Sequence, residues 1–476
     1  MASREKIREI AETKNAQIAD INHSVWEYAE GGYCEYRSAA KLMEVLRAEG
    51  FAIEEKAGGI ETAFVGTYGS GRPVIGILAE YDALPGLSQK AGEAKHCPIE
   101  GQAFGHGCGH SALGAGSVGA ALIAKEYLKE NGLSGTVKLF GCPAEETGFG
   151  KAFMARAHCF DGLDMCFSWH PADANTNFPR AIANYAVRFD FKGCSAHASS
   201  APEQGRSALD ACELMNVGVN YLREHVPTST RLHYAYLDCG GEAPNVVQDH
   251  ASLLYYVRGP RLSQCGEVLA RVKKIARGAA LMTETEVNIQ VLGGLNDYIP
   301  NNTASRLIAD AFCAFGGPDF GEEEYAVARE FLKALPEEEK KKSITAGAKL
   351  NGISEEEFAA RPLNTAAEPY SEKVRQTVMP GSTDVGDVSH IAPTGQYMVT
   401  GVIQGTGDHT WQFTAQIGTS IGDKAAESIA RAIAYACAEV YENPDLAEQA
   451  KKELLEETEG VYVSPLPEDA VPGEKR

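Results

Sequence analysis

No stretch of this chain is apolar for long enough to cross a bilayer, which sets aside channels, transporters and single-span receptors. Positive charge is also in short supply: 44 lysines and arginines face 65 aspartates and glutamates, a formal net charge of -21. Nucleic acids and anionic membranes are bound through a basic footprint, so neither is an expected partner. The first thirty residues lack the continuous apolar core of a secretory signal and read as charged amphipathic helix. There is no disulfide framework either. The twelve cysteines are scattered over 476 residues, and Cys212, Cys313 and Cys437 sit inside apolar patterns, where a thiol behaves as a small hydrophobe. These absences lead to the expectation of a globular cytoplasmic protein. At this length, with 44% hydrophobic residues, the chain can bury a large core and is expected to split into two domains.

What the chain does have is a series of polar clusters, each set after an apolar run or a glycine-rich turn. Gly-His-Gly-Cys-Gly-His occupies 105–110, Pro-Ala-Glu-Glu 143–146, Trp-His-Pro 169–171 and Asp-His-Thr 408–410. Cys108, His110, Glu146, His170 and His409 are thiol, imidazole and carboxylate donors of the kinds that bind zinc or manganese. Glu145 stands beside Glu146, and adjacent side chains on a turning backbone diverge. One can hold metal while the other faces a substrate. This is the inventory of a hydrolytic metal site with its own general base. Glycines around Cys108 and His110 permit the tight turn that would aim both side chains at one point. A cysteine ligand must be a thiolate, which a nearby divalent cation secures by depressing its pKa. His106, His390 and the pair His96 and Cys97 lack a comparable setting and are expected to be structural or supporting.

Periodicity predicts helices over 4–29 and 37–49, then strands over 62–68 and 73–79. A small-residue helix pattern over 111–129 is followed by strand-like 136–141 and 165–168. Short apolar strands alternating with helices predict a doubly wound α/β sheet, whose ligands bind beyond the carboxyl ends of the strands. Glu80 and Asp82, Glu145 and Glu146, and His170 all fall just after such runs. From about 183 the order becomes strand, helix, strand, strand, helix, strand, over 183–192, 207–222, 233–239, 251–258, 262–283 and 286–292. That is the ferredoxin-like arrangement. The expected organisation is a catalytic domain in two segments, 1–182 and 295–476, interrupted by a smaller domain over 183–294. The stretch 318–370, with its Glu322–Glu324 and Lys340–Lys342 runs, is expected to be a charged helical insert with a solvated face. One long helix is expected over 415–442, and disorder after Pro465.

Six stretches carry a family resemblance: Glu80–Gln89 (EYDALPGLSQ), Gly105–His110, Gly141–Gly150, Gly193–Ala211, Ala243–Val247 and Gly381–Ser389. Together they resemble the dinuclear metallopeptidase superfamily that includes carboxypeptidase G, aminoacylase and the auxin-conjugate amidohydrolases. Within it they resemble the amidohydrolase branch and, more narrowly, the group formed by the B-type subunits of aminobenzoyl-glutamate hydrolase. The resemblance implies an α/β catalytic domain with a central, mostly parallel sheet, interrupted by a βαββαβ lid and dimerisation domain. It also implies two divalent metal ions per chain, zinc or manganese. The superfamily's usual His-x-Asp motif reads Glu80-Tyr81-Asp82 here, so the first ligand must come from elsewhere. By resemblance Cys108 and His110 supply it, and Asp82 orients a ligand. The resemblance further implies that His197 reaches a partner subunit's active site to polarise the scissile carbonyl, and that Asn245 and Arg258 hold the substrate's free carboxylate. Read from residues alone, Arg258 is a cation at a strand end in an acidic chain, either an anion anchor or half of a surface ion pair. Arg188 and Arg206 are weaker candidates.

The expected function is a metal-dependent amidohydrolase acting on the amide bond of an N-acyl amino acid, with p-aminobenzoyl-glutamate favoured by the resemblance. A general N-acyl-amino acid or dipeptide hydrolase is the alternative, because the sequence does not display the acyl pocket. A reading of another class is a non-catalytic subunit of a hetero-oligomeric hydrolase. The presence of all five ligand candidates together with Glu145 weighs against it. A homodimer is expected, with a homologous second subunit as the other arrangement.

Overall fold

Val74–Glu80 reads VIGILAE and is buried from its second residue onward, as a strand covered on both faces must be. The computed structural model describes residues 2–458 and 460–473, and the chain divides into two units. The first comprises Met1–Pro179, Ile299–Thr377 and Val388–Tyr462; the second comprises Arg180–Tyr298, Val378–Asp387 and Val463–Arg476. The longer strands, in chain order, are β1 (Ala52–Glu55), β2 (Phe64–Ser70), β3 (Val74–Glu80), β4 (Gly135–Cys142), β5 (Met165–Ala172), β6 (Ala183–Lys192), β7 (Arg231–Asp238), β8 (His250–Gly259), β9 (Glu286–Leu295) and β10 (Thr394–Thr400).

In the first unit the sheet order is β1-β2-β4-β3-β5-β10, continued by the short strand Thr176–Asn177. The β4–β3, β3–β5 and β5–β10 pairs are parallel, so four neighbouring strands end on the same edge. The pairings of β1 with β2, β2 with β4, and Thr176–Asn177 with β10 are antiparallel. Ile77 of the central strand is in register with Leu139 on one side and Phe167 on the other. The first helices of the chain are α1 (Arg4–Glu12), α2 (Asn15–Tyr28), α3 (Tyr36–Ala48) and α4 (His110–Asn131). Helix α4 is buried along nearly its whole length, because the sheet covers one side while α2 and the helix Ser420–Glu442 cover the other. Its small residues allow that approach; a Cβ at Gly119 would lie 2.5 Å from Ile18 Cδ1. Leu113, Leu122 and Ile123 are fully buried there, each stabilising the fold by roughly 1.5–3 kcal/mol.

The second unit is a four-stranded antiparallel sheet in the order β7-β8-β6-β9, with the helices Ala208–Leu222 and Leu262–Thr283 packed on it. Its core joins Val187, Phe189, Leu253 and Tyr255 from the sheet to Cys212, Met215, Val268 and Val272 from the helices.

Four expectations differ from the structure. The N-terminal helix is broken after Glu12, and Asn15 starts the next one. The closing helix is interrupted between Ile417 and Ser420, where the Thr419 side chain accepts from Ile421 N and caps a new start. The acidic run at 322–324 is not simply a solvated face: Glu324 is 3% exposed and meets Lys424 Nζ at 2.8 Å. The insert has its own core, with Phe320, Tyr325, Phe331 and Leu332 packed against Leu363, Ile403, Ala415 and Ile421. Finally, the stretch 466–473 packs against the second unit, with Leu466 and Ala470 buried and Asn296 Nδ2 donating to Val463 O at 3.0 Å; the rest of the expected disordered tail, 474–476, lies outside the described residues.

Candidate metal centre

Parallel strands deliver their following residues to one edge, and this sheet uses that edge for its polar side chains. Glu80 ends β3 and Asp82 follows it; Glu145 and Glu146 follow β4; His170 lies near the end of β5; His409 is in the loop after β10. Cys108 and His110 come from the turn into α4. Gly109 between them has φ +78, and a Cβ there would lie 2.6 Å from Pro171 Cγ. Only glycine permits that turn. The acidic pair sits on a single helical turn, Glu145–Gly148, flanked by two non-glycine residues in the left-handed region, Ala144 (φ 56) and Phe149 (φ 57). His409 is left-handed as well (φ 58). Strained backbone of this kind persists where surrounding contacts over-determine it.

The structure brings all five ligand candidates together. Cys108, His110 and His170 offer donor atoms within 4.8 Å of one another; so do Cys108, Glu146 and His409, and so do His110, Glu145 and Glu146. Cys108 Sγ lies 3.3 Å from His170 Nε2, and His409 Nε2 lies 3.3 Å from Glu146 Oε2. Asp82 accepts at both oxygens, from His110 Nδ1 at 2.8 Å and from Glu146 N at 3.0 Å. The other ring nitrogen of His110 faces Glu80 Oε2 at 3.3 Å without a hydrogen bond, and Glu80 Oε1 is 2.6 Å from Lys151 Nζ.

Burial alone would lower the His110 pKa, but Asp82 and Glu80 outweigh it and hold it up to about 10. Loss of solvent, then the charges of Glu146 and Glu145, push the Cys108 thiol well above its usual range. His110 Nε2 and Glu146 Oε1 are buried without a hydrogen-bond partner. A thiol that cannot ionise unaided, crowded carboxylates and two unsatisfied buried donor atoms are all conditions that a divalent cation relieves. The residues present therefore fit a metal.

Three candidates lie in the second unit. His197 is exposed, and its Nδ1 accepts from Ser199 N at 3.2 Å and Ser200 N at 3.1 Å, which leaves the proton of the neutral ring on Nε2. Asn245 is close to it in the fold, its carbonyl accepting from Ala198 N at 2.9 Å. Arg258 is half-buried near the end of β8, with its guanidinium 5.6 Å from the Tyr256 ring centroid, and it makes no ion pair among the described residues. Arg188 and Arg206 are instead engaged by Asp190 and Glu284.

Two supporting residues escaped sequence reasoning. Lys151 is fully buried against Glu80; its one sequence signal is a lysine inside the otherwise small and apolar run Gly150–Met154. Glu35 is fully buried and receives Ala144 N at 2.8 Å and Thr62 Oγ1 at 2.9 Å. Burial and the neighbouring Asp82 push its carboxyl up to about 8. Nothing near Glu35 in the sequence announces this. His106, buried with Nε2 3.0 Å from Val25 O, ties the loop that carries Cys108 and His110 to the end of α2.

Known proteins share both the sequence and the architecture. The chain is 38% identical to the B-type subunit of p-aminobenzoyl-glutamate hydrolase from Escherichia coli (strain K12), covering 98% of each chain. It is 27% identical to the Xaa-Arg dipeptidase of Mus musculus, over 94% of this chain and 90% of that one. Among solved structures, an aminobenzoyl-glutamate utilization protein from Klebsiella pneumoniae shares the fold, with a TM-score of 0.57 at 18% identity, over 90% of this chain and 98% of the other. Residues 76–434 match the peptidase family M20/M25/M40, and the chain belongs to that family.

Proposed function

We propose that the protein hydrolyses the amide bond of an N-acyl amino acid with a free carboxylate, and that its substrate is p-aminobenzoyl-glutamate, released as p-aminobenzoate and glutamate. The observation that carries this reading is the convergence of five donor side chains around Cys108, with Glu145 within reach of the same point. The substrate comes from the 38%-identical full-length relative.

Cys108, His110, Glu146, His170 and His409 would hold two divalent cations. Thiolate and imidazole favour zinc, and carboxylates admit manganese. When bound, the cations supply Lewis acidity that polarises the scissile carbonyl and acidifies the attacking water. Glu145 takes a proton from the water as its oxygen bonds to the carbonyl carbon, and delivers it to the nitrogen as the C–N bond breaks. Asp82 fixes the His110 ring and the Glu146 backbone at once. His197 of the partner subunit donates from Nε2 to the developing oxyanion. Asn245 and Arg258 receive the substrate's free carboxylate; a half-buried arginine without an ion pair suits that task.

The homodimer is supported by the second unit's own surface. The edge strand β7 exposes Tyr234, Tyr236 and Leu237, and the helix Ala208–Leu222 exposes Leu214, Val217 and Tyr221. An open edge beside an apolar helical stripe is a surface that self-pairing would cover. No helix among the described residues is long and apolar enough to cross a membrane. None of the twelve cysteines is joined in a disulfide, which suits a reducing cytoplasm.

The test is hydrolysis of a panel by metal-reconstituted protein: p-aminobenzoyl-glutamate, other N-acyl amino acids, and dipeptides ending in arginine. A kcat/KM for p-aminobenzoyl-glutamate at least about tenfold above the rest is expected. Preference for the other members would select a general acyl-amino acid or dipeptide hydrolase. No turnover of any member with two metals bound per chain would overturn the catalytic reading and leave the non-catalytic subunit.

A further inference from the structure

We infer that the segment Gly31–Glu35 positions the general base, and that Glu35 is the residue through which it does so. The inference rests on the reading of Glu145 as that base. Glu35 is the residue before α3, yet its side chain makes no bond to the start of its own helix. That task falls to Glu30, whose carboxylate accepts Arg37 N at 3.1 Å and Ser38 N at 2.9 Å. Glu35 is thereby available for the site, and its buried carboxylate takes the backbone N–H of Ala144 at 2.8 Å.

Ala144 is the residue that needs holding. It is left-handed (φ 56, ψ 41), a conformation that an L side chain rarely adopts, and Glu145 follows it immediately. The other end of the turn is held from the same segment, by the Tyr33 hydroxyl donating to Gly148 O. The backbone between them lies against the turn: a Cβ at Gly32 would be 2.8 Å from Thr147 Oγ1 and 3.0 Å from Ala144 Cβ. The strap also grips the neighbouring strand end, where Ala83 N donates to Glu30 O at 2.8 Å and Gly31 bridges to Ala83. One short segment, upstream of the stretch matched to the family, thus sets the spacing between the Asp82 and Glu145 strand ends.

The experiment compares Glu35→Leu with Glu35→Gln in the full-length, metal-loaded protein. Glutamine can accept from Ala144 N with its oxygen and donate to the Thr62 hydroxyl with its amide, so it keeps both contacts. Glu35→Leu orphans the N–H. It is expected to lower kcat at least about tenfold with KM within about threefold, since misplacement rather than lost binding is the fault. Metal content should stay the same, and amide hydrogen exchange across 143–149 should rise at least about tenfold while other segments are unchanged. Glu35→Gln should remain within about threefold of the parent in each measurement. A folded Glu35→Leu protein with parental kcat and exchange overturns the inference, as does a glutamine variant as impaired as the leucine one. If Glu35→Leu does not fold, Tyr33→Phe replaces it, and unchanged exchange over 143–149 then counts against the strap. Exchange is read without turnover, so a protein inactive on every substrate would refute the proposed function while still testing the strap.

Discussion

His110 Nδ1 and Asp82 Oδ1 lie 2.8 Å apart, and the second oxygen of the same carboxylate accepts the Glu146 backbone N–H. One buried aspartate therefore orients one candidate ligand and anchors the backbone of another. Asparagine cannot replace it, because its amide would present a donor to one of two donors. Asp82→Asn should weaken metal binding roughly 10–100-fold, measured by competition with a chelator of known affinity. Unchanged affinity would show that His110 needs no such support.

Glu145 and Glu146 are adjacent, and the proposed mechanism gives them different work. Glu145→Gln should reduce turnover by at least about a hundredfold while the metal-to-protein ratio stays at the parental value. Loss of metal with chemistry restored on remetallation would mean that the two glutamates have been assigned in the wrong order.

The Cys108 thiol is pushed well above its usual range by loss of solvent and by Glu146 and Glu145, and a bound cation favours the thiolate instead. Cobalt(II)-substituted protein should then show a thiolate-to-cobalt charge-transfer band in the near ultraviolet, absent from Cys108→Ser. A parent protein without the band would remove Cys108 from the ligand set.

His197→Ala should lower turnover by about a hundredfold, the scale of a lost oxyanion donor, with metal content intact. Mixed with Glu145→Gln, it should regain activity as subunits exchange, because one site in each hybrid would combine an intact Glu145 with an intact partner His197. Confirmed exchange without recovered activity would end the cross-subunit role.

Glu324 gives a pH prediction away from the active site. Burial alone would raise its pKa, but hydrogen bonds from Lys424, Ser420 and Gly321 N bring it down to about 2. A folded-state pKa below the unfolded value of about 4.3 stabilises the fold above that value, and the contribution is lost as pH falls toward 2. The stability advantage of the parent over Glu324→Gln should be roughly 1–3 kcal/mol at pH 7 and shrink sharply by about pH 3. A difference in melting temperature that does not vary with pH would show that the charge is not what holds the insert.

Residues whose side chains record burial were legible in the sequence. Val74–Glu80, Gly135–Cys142 and Met165–Ala172 are largely apolar and buried on both faces, and their strands lie within a few residues of the expected spans. The strand-helix order over 183–292 was readable for the same reason. Strands without such a signature were missed: β1 (AIEE) is mostly exposed, and β10 mixes Thr, Gly and Gln with its apolar residues. The candidate ligands could be gathered because glycine and proline turns mark strand ends. Lys151 and Glu35 could not, since what defines them is a partner brought close only by the fold, Glu80 in one case and Ala144 in the other. The break at 418–419 was hidden because the apolar pattern runs on through it.

His170 and His409 reach the same cluster from opposite sides of an intervening stretch that includes the whole ferredoxin-like sheet. Ions held by both, together with Cys108, would staple the beginning of the chain to its end. Closing so long a loop costs entropy that grows only slowly with its length, and a coordinate link across it shrinks the unfolded ensemble much as a disulfide does. In a protein without disulfides, that reversible staple would stand in for the missing covalent ones, and metal starvation would then register first as a loosened chain and an easier target for proteases.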